Sequence, residues 1–194
     1  MKIIGITGGI GAGKTTVCSM FKELGAEACD ADEIVREKEK KGGAAYNEIR
    51  ECFGTEIISE NGELNRKKLA GIVFSDKEKL EKLNSIVHKY VFEEIREKIK
   101  SCSSDVLCLD VPLLFSSEFP IKCDYTVGVI AEREERIKRV EKRSGMSRNE
   151  IIKRIDNQIS DDELLKRADF IVENTDMKKA FSAVENIMKT VRNE

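Results

Sequence analysis

The residues most able to do chemistry are concentrated at the start of the chain. Gly8 and Gly13-Lys14-Thr15 stand at the spacing G-x-x-x-x-G-K-[ST]. The apolar run 3–6 precedes them, and Val17, Met20, Phe21 and Leu24 follow at helical spacing as far as Gly25. Strand, glycine-rich turn and helix in that order make a phosphate-binding loop. The glycines let backbone N–H groups turn inward around phosphate oxygens, and the helix aims its positive end at the anion. Lys14 is a mobile point charge for the β- and γ-phosphates, and Thr15 offers a hydroxyl to Mg2+. Gly9, Gly11, Ala12, Gly13 and Thr16 complete the expected ATP-binding set. The bland alternative is a glycine-rich turn without a ligand; the flanking strand and helix argue for a bound nucleoside triphosphate.

Three carboxylates come next. Asp30-Ala31-Asp32 ends a short candidate strand over 27–30, and in open α/β sheets ligands gather beyond the carboxyl ends of the strands. One of these aspartates is expected to cap the helix starting near Glu33, which leaves the other available for chemistry. Asp110 sits in the apolar run 106–111, where P-loop enzymes place a carboxylate that holds Mg2+ or its waters. A buried carboxylate needs a partner, so Mg2+, its water or Thr15 is expected beside it.

The cations cluster later. Arg133, Arg136, Lys138, Arg139, Lys142 and Arg143 crowd one helical stretch whose inner face carries Ile137 and Val140. Gly145 breaks it, and Ser147-Arg148-Asn149-Glu150 reads as a capping box for a second helix through Ile151, Ile152, Ile155 and Ile159, with Arg154 alongside. The pair is either a solvated hairpin or a lid that closes over the triphosphate. His88, the single histidine, lies beside the apolar stripe of a long helix, a setting that is more often structural than functional.

The elements that must position these residues alternate between strand and helix. Strands are expected at 2–6, 27–30, 106–111, 125–131 and 169–173. From Glu33 to Lys100 the pattern is helical, punctuated by Gly42-Gly43 and Asn61-Gly62, with a further capping box at Ser75-Asp76-Lys77-Glu78. The last helix carries Met177, Phe181, Val184, Met188 and Val191. The expected fold is α/β of the P-loop NTPase type: a five-stranded parallel sheet flanked by helices, a helical substrate lobe between strands 2 and 3, and an Arg-rich helical lid. In a single 194-residue domain the core would take about 1–32, 104–131 and 161–194, the insertion about 33–103 and the lid about 132–160.

Composition narrows the class. Thirty-four basic and 36 acidic residues are interleaved, for a net charge of −2, which argues against nucleic-acid or membrane-surface binding. Cys18, Cys29, Cys52, Cys102, Cys108 and Cys123 form no C-x-x-C pair and read as reduced, mostly buried residues of a cytoplasmic protein. The chain runs directly into its first strand with no leader, and no apolar run approaches a membrane span. The oligomeric state is left open and a monomer suffices.

Several strings together resemble the dephospho-CoA kinase family. They are Gly5 to Thr15; Asp30-Ala-Asp-Glu-Ile-Val-Arg-Glu; Asn61-Gly-Glu-Leu-Asn-Arg-Lys-Lys-Leu-Ala-Gly-Ile-Val-Phe; Leu83-Asn-Ser-Ile-Val-His; Asp110-Val-Pro-Leu-Leu-Phe; and Arg154-Ile-Asp-Asn-Gln, with Ala168-Asp-Phe-Ile-Val-Glu-Asn. The resemblance implies transfer of a phosphoryl group from MgATP to the ribose 3′-hydroxyl of dephospho-CoA. It also implies roles. Asp32 would be the general base, Lys14 and Arg143 the cations on the transferring group, Thr15 and Asp110 the Mg2+ ligands, and Asn174 a residue near the nucleotide base. Arg36, His88, Pro112 and Leu113 would join Asp32 in holding the acceptor. Lys89, Ser116 and the pair Thr175-Asp176 depart from the family pattern. The rival readings are another small-molecule P-loop kinase acting on a nucleoside or nucleotide, and a slow nucleotide-dependent switch; no Asn-Lys-x-Asp guanine-reading motif supports the switch.

Overall fold

The computed structural model describes residues 1–112, 114–115 and 119–193. These divide into two compact units, Met1–Asp30 with Cys102–Glu194 and Ala31–Ser101.

The first unit is built on five parallel strands: β1 (Lys2–Thr7), β2 (Glu27–Asp30), β3 (Val106–Asp110), β4 (Tyr125–Ile130) and β5 (Phe170–Glu173), in the order β2-β3-β1-β4-β5. The apolar runs read from the sequence are these strands, to within a residue at each end. β1 is central because both faces of its backbone neighbourhood are filled: Ile4 and Ile6 are fully buried, and Leu107, Cys108, Val127 and Val129 flank them. Parallel strands buried on both faces read as continuous apolar runs rather than alternating ones. Helix α1 (Lys14–Glu23) buries Val17, Met20 and Phe21 against this sheet and ends at Leu24, with Gly25 at φ 90°. The C-terminal helix (Met177–Asn193), α9 in chain order, turns Ala180, Val184, Ile187, Met188 and Val191 into the same core.

The Arg-rich stretch folds as α6 (Arg133–Ser144) and α7 (Arg148–Asp156), with a small core of its own formed by Ile137, Val140, Ile151 and Ile155. Gly145 ends α6 in the left-handed region at φ 65°. The Ser147/Glu150 capping box forms with both reciprocal bonds. The expectation that Ile159 continues α7 is not met. The helix stops at Asp156, and Ser160 caps a separate short helix, α8 (Asp161–Arg167). Three acidic residues, Asp161, Asp162 and Glu163, open that helix, a charge placement that favours a new N-terminus over continuation.

The second unit is all helical: α2 (Ala31–Lys38), α3 (Ala44–Phe53), a 3-10 turn (Thr55–Ile57), α4 (Arg66–Val73) and α5 (Lys77–Ser101). Its core joins Ile49, Phe53, Ile57, Leu69, Val73 and Ile86. The Asn61-Gly62 turn is held by the Tyr46 hydroxyl, which donates to Gly62 O at 2.7 Å. The second expected capping box is replaced by a simpler cap. The Ser75 hydroxyl donates backward to Gly71 O and Ile72 O, while Asp76 Oδ1 accepts from Lys79 N and opens α5.

Candidate active site

β1 delivers the chain to its carboxyl end, and the turn 8–13 must then reverse it into α1. Gly11 (φ 79°) and Gly13 (φ 93°) hold left-handed conformations that a side chain would strain. They are also hemmed in: a Cβ on Gly11 would meet the backbone of Arg136, and one on Gly13 would overlap the side-chain amide of Asn174. Gly13 is the N-cap of α1 and has no side-chain cap, and no acidic residue stands in the first turn. The first-turn N–H groups are therefore left for an anion.

Backbone accounting explains the loop's shape. Every carbonyl from Gly8 to Gly13 accepts a hydrogen bond. Lys14 Nζ donates to Gly8 O at 3.1 Å, and Ala12 N to Gly9 O at 3.1 Å. Arg136 Nε donates to Ile10 O at 3.0 Å. Arg139 Nη1 reaches Gly11 O and Ala12 O, both at 3.3 Å. Asn174 Nδ2 donates to Ala12 O at 2.9 Å and Gly13 O at 3.5 Å. Val17 N closes on Gly13 O at 3.1 Å. Gln158 Oε1 accepts from Ile10 N at 2.6 Å. Arg139 Nη2 also donates to Asn174 O at 2.7 Å, which joins the α6 strap to the β5 end.

Arg136, Arg139 and Gln158 brace the loop, and none of them belongs to the site expected from the sequence. Arg136 and Arg139 belong to an arginine cluster already in view, three residues apart on one helix face. Gln158 is visible only within the string Arg154-Ile-Asp-Asn-Gln. Arg136 is 4% exposed. Its Nη1 pairs with Asp161 at 3.2 Å, and its Nη2 is buried with no hydrogen-bond partner. Burial holds its pKa below the usual guanidinium range, with Asp161 pulling the other way. Arg143, by contrast, is exposed in the last turn of α6.

Asp110 is buried at the carboxyl end of β3, opposite Asp30 in the β2–β3 register and opposite Ile6 in the β1–β3 register. The Cys18 thiol reports the field nearby. Its pKa is pushed far up, first by burial and then by Asp110, Cys108 and Asp30, with Lys14 acting against them. Thr7 Oγ1 donates to Pro112 O at 3.1 Å, which ties the segment after β3 to the end of β1. Thr15 is exposed and Thr16 partly buried in the first turn of α1.

Asp32 and Arg36 are exposed residues of α2, and Arg36 Nε donates to the Asp32 backbone carbonyl at 3.1 Å. Asp32 thus lies in the first turn of α2, two residues beyond the end of β2. His88 is half-buried on α5, and its ring stands 5.3 Å from that of Phe92. Leu113 lies outside the described residues. Among the described residues no cluster of three or more His, Cys, Asp or Glu could hold a metal on its own, and no helix is long and apolar enough to cross a membrane.

A central parallel strand that feeds a braced glycine loop and a helix N-terminus defines a P-loop nucleotide-binding protein of the α/β class. Comparison with known proteins narrows this. The family model for dephospho-CoA kinase matches residues 2–179, and the chain belongs to that family. A dephospho-CoA kinase from Carboxydothermus hydrogenoformans is 42% identical over 178 residues, 90% of this chain and 86% of its own. One from Fusobacterium nucleatum is 40% identical over 191 residues, 97% and 98% of the two chains. A crystal structure of a Thermus thermophilus protein superposes with a TM-score of 0.86 at 34% identity, covering 97% of this chain and 96% of that one.

Proposed function

We propose that this protein transfers the γ-phosphoryl group of ATP to the ribose 3′-hydroxyl of dephospho-CoA, giving CoA and ADP. The observation that carries the reading is the braced loop Gly8–Thr15 in a chain of this family over residues 2–179. Phosphoryl transfer asks the protein for little covalent chemistry and much positioning. The loop's carbonyls are engaged, as are the N–H groups of Ile10 and Ala12, and its remaining N–H groups are left for the triphosphate. Lys14 exchanges its bond to Gly8 O for the β- and γ-phosphate oxygens. Arg143, exposed in the last turn of α6, supplies a second cation when the hairpin closes. Asp32 takes the proton from the acceptor hydroxyl. The loop of Asn174 lies near the nucleotide base, while the Asn174 side-chain amide donates to the phosphate loop. Arg36, His88, Pro112 and Leu113 contribute to holding the acceptor, and the helical unit 31–101 is its lobe.

Mg2+ fits the donors present. Thr15 and Asp110 offer hard oxygens, and the Cys18 pKa, raised first by burial, is raised further by the negative field of Asp110 and Asp30, which a cation would relieve. A site with so few protein ligands suits an ion that keeps its waters and binds substrate phosphates. Held there by Thr15 and Asp110, Mg2+ would supply positive charge to offset that of the triphosphate. Six free cysteines support a reducing, cytoplasmic setting, and the interleaved charge supports small-molecule partners rather than nucleic acid or membrane.

The test is ADP release from MgATP with and without dephospho-CoA, with the product weighed by mass spectrometry. Acceptor-dependent release and a product identical to CoA are expected. Release indifferent to dephospho-CoA sinks the acceptor assignment and leaves a kinase of another metabolite.

A further inference from the structure

A cleft of about 270 Å3 opens against Gly8 and Gly9, walled by Pro112, Phe115, Ile159 and Arg167. Its position is informative. Lys14 Nζ rests on Gly8 O, so this end of the loop is where the γ-phosphate of a bound nucleotide lies. A cleft abutting it is on the acceptor's side. An acceptor whose ribose 3′-hydroxyl faces the γ-phosphate must carry its purine base within one sugar of that point.

The wall is built to take a flat aromatic group. Phe115 is fixed from three directions. Val111 N donates to Ile6 O at 2.9 Å, which sets the chain leaving β3. Leu114 is buried in the space left by the missing side chain of Gly5. Arg167 Nη2 donates to Phe115 O at 2.9 Å, with its guanidinium carbon 4.6 Å from the Phe115 ring centroid. A ring held with a guanidinium over it loses little freedom when a base stacks on it. Asn157 and Gln158 also line the cleft and can meet the polar edge of a base. The volume is below that of pockets that enclose whole drug-sized ligands. It suits a base with its sugar, not the full acceptor.

We infer that this cleft seats the adenine of the acceptor nucleotide, with Phe115 as its stacking surface and Arg167 as the residue that holds Phe115. The inference rests on the kinase reading above. It makes Phe115 an acceptor-selecting residue distinct from the phosphate machinery.

The experiment uses wild type, Phe115→Leu and Phe115→Tyr at saturating MgATP. Dephospho-CoA is the acceptor, and 5′-AMP is the competitive inhibitor against it. Removing a base-stacking ring weakens binding by roughly 5- to 150-fold. Phe115→Leu should therefore raise the KM for dephospho-CoA and the Ki for 5′-AMP by the same factor in that range. Its KM for ATP should stay at the wild-type value, and Phe115→Tyr should restore both constants. A raised KM with an unchanged Ki would put the pantetheine arm in the cleft and overturn the inference. So would no change in either constant. A parallel rise in the KM for ATP would make Phe115 a prop for the fold and also overturn it. If wild type makes no CoA at all, the kinase reading fails before any variant is compared, and the inference falls with it.

Discussion

Arg136→Met separates bracing of the phosphate loop from bulk stability. The substitution keeps an unbranched apolar stem of similar length and removes the guanidinium. Lost are the charge-assisted bond from Nε to Ile10 O, worth about 1.5–3 kcal/mol, and the pair with Asp161. Asp161 is 38% exposed in its side chain, so that pair adds only about 0–1 kcal/mol. Gained is relief of a buried guanidinium with one unpartnered nitrogen, about 1–3 kcal/mol. The two sides offset within about 3 kcal/mol, so for a domain of this size Tm should move by no more than roughly 12 °C. The loop fares worse. Ile10 is tied at both backbone groups, its N–H to Gln158 and its carbonyl to Arg136. Freeing one residue's backbone adds about 1–2 kcal/mol of ordering to each binding event, or a roughly five- to thirty-fold loss of affinity. Calorimetry with a non-hydrolysable MgATP analogue, beside a thermal melt, reads both quantities. Arg136→Gln, which keeps a donor for Ile10 O, should recover most of the affinity. A variant that loses far more than roughly 12 °C yet binds the analogue normally would refute the reasoning and leave Arg136 as a packing residue.

Asp32→Asn should lower kcat by roughly 10²–10⁴ while the KM for ATP stays near the wild-type value; near-normal turnover would remove Asp32 as the base. Gly13→Ala places a side chain at φ 93° against Asn174, with strain of about 1–2 kcal/mol before any clash, so analogue binding should fall at least about tenfold in the same calorimeter. Arg66→Ala removes the partner, 2.7 Å away, of Glu39, whose side chain is 10% exposed. Arg66 itself is largely exposed, so the loss should be about 1–3 kcal/mol in a denaturant melt at pH 7. Burial holds the Glu39 pKa up and Arg66 pulls it down. Without Arg66 the carboxyl protonates sooner, so the deficit should shrink as pH falls toward the usual Glu range from above, where first the variant's carboxyl and then the wild type's takes up its proton. Cys123 is pushed up to about 11 from 9.0, by burial first and Asp124 second. Its thiol stabilises the fold fully below pH 9, and that contribution is lost as pH rises from 9 to 11, where the unfolded thiol ionises and the folded one does not. Cys123→Ala should flatten the fall of Tm across that window.

The strands and helices were legible because each announces itself locally. The runs 3–6, 106–109 and 127–130 carry no polar side chain, as doubly buried parallel strands must. The glycines after β1 could be read as a phosphate loop because the motif encodes the backbone conformation directly. What escaped was set by tertiary contacts. Ser75 precedes a Glu three residues on, just as Ser147 does. Ser75 instead finds carbonyls of the preceding helix within reach, and Asp76 takes the cap. Arg136, Arg139 and Arg143 are alike in sequence, yet Arg136 and Arg139 turn toward the loop and Arg143 stays in solvent. No local pattern orders three arginines by distance to a turn more than 120 residues earlier in the chain.

That long-range bracing bears on how the site operates. A P-loop must hold several N–H groups converging on one anion, an arrangement that repels itself when empty. The usual remedy is the phosphate. In this chain the opposite side of the same peptides is occupied beforehand: Lys14, Ala12, Arg136, Arg139, Asn174 and Val17 between them cover every carbonyl from Gly8 to Gly13. Each bonded carbonyl fixes the peptide plane and so the direction of the N–H on its other side. The donors come from α6, from the end of β5 and from the loop's own helix, so elements added late in the chain complete a site begun by its first strand. Arg136 and Arg139 sit on the helix that also carries Arg143 at its exposed end. The root of the hairpin is thereby fastened to the loop while its tip is left unfastened. A closing motion should then bend the last turn of α6, between Arg139 and Gly145, and bring Arg143 inward without disturbing the cradle. Amide exchange should find the 136–140 segment protected with or without nucleotide, and the 143–147 segment protected only when nucleotide is bound. Equal protection gained by both segments would mean that the whole hairpin moves and the bracing forms only on binding.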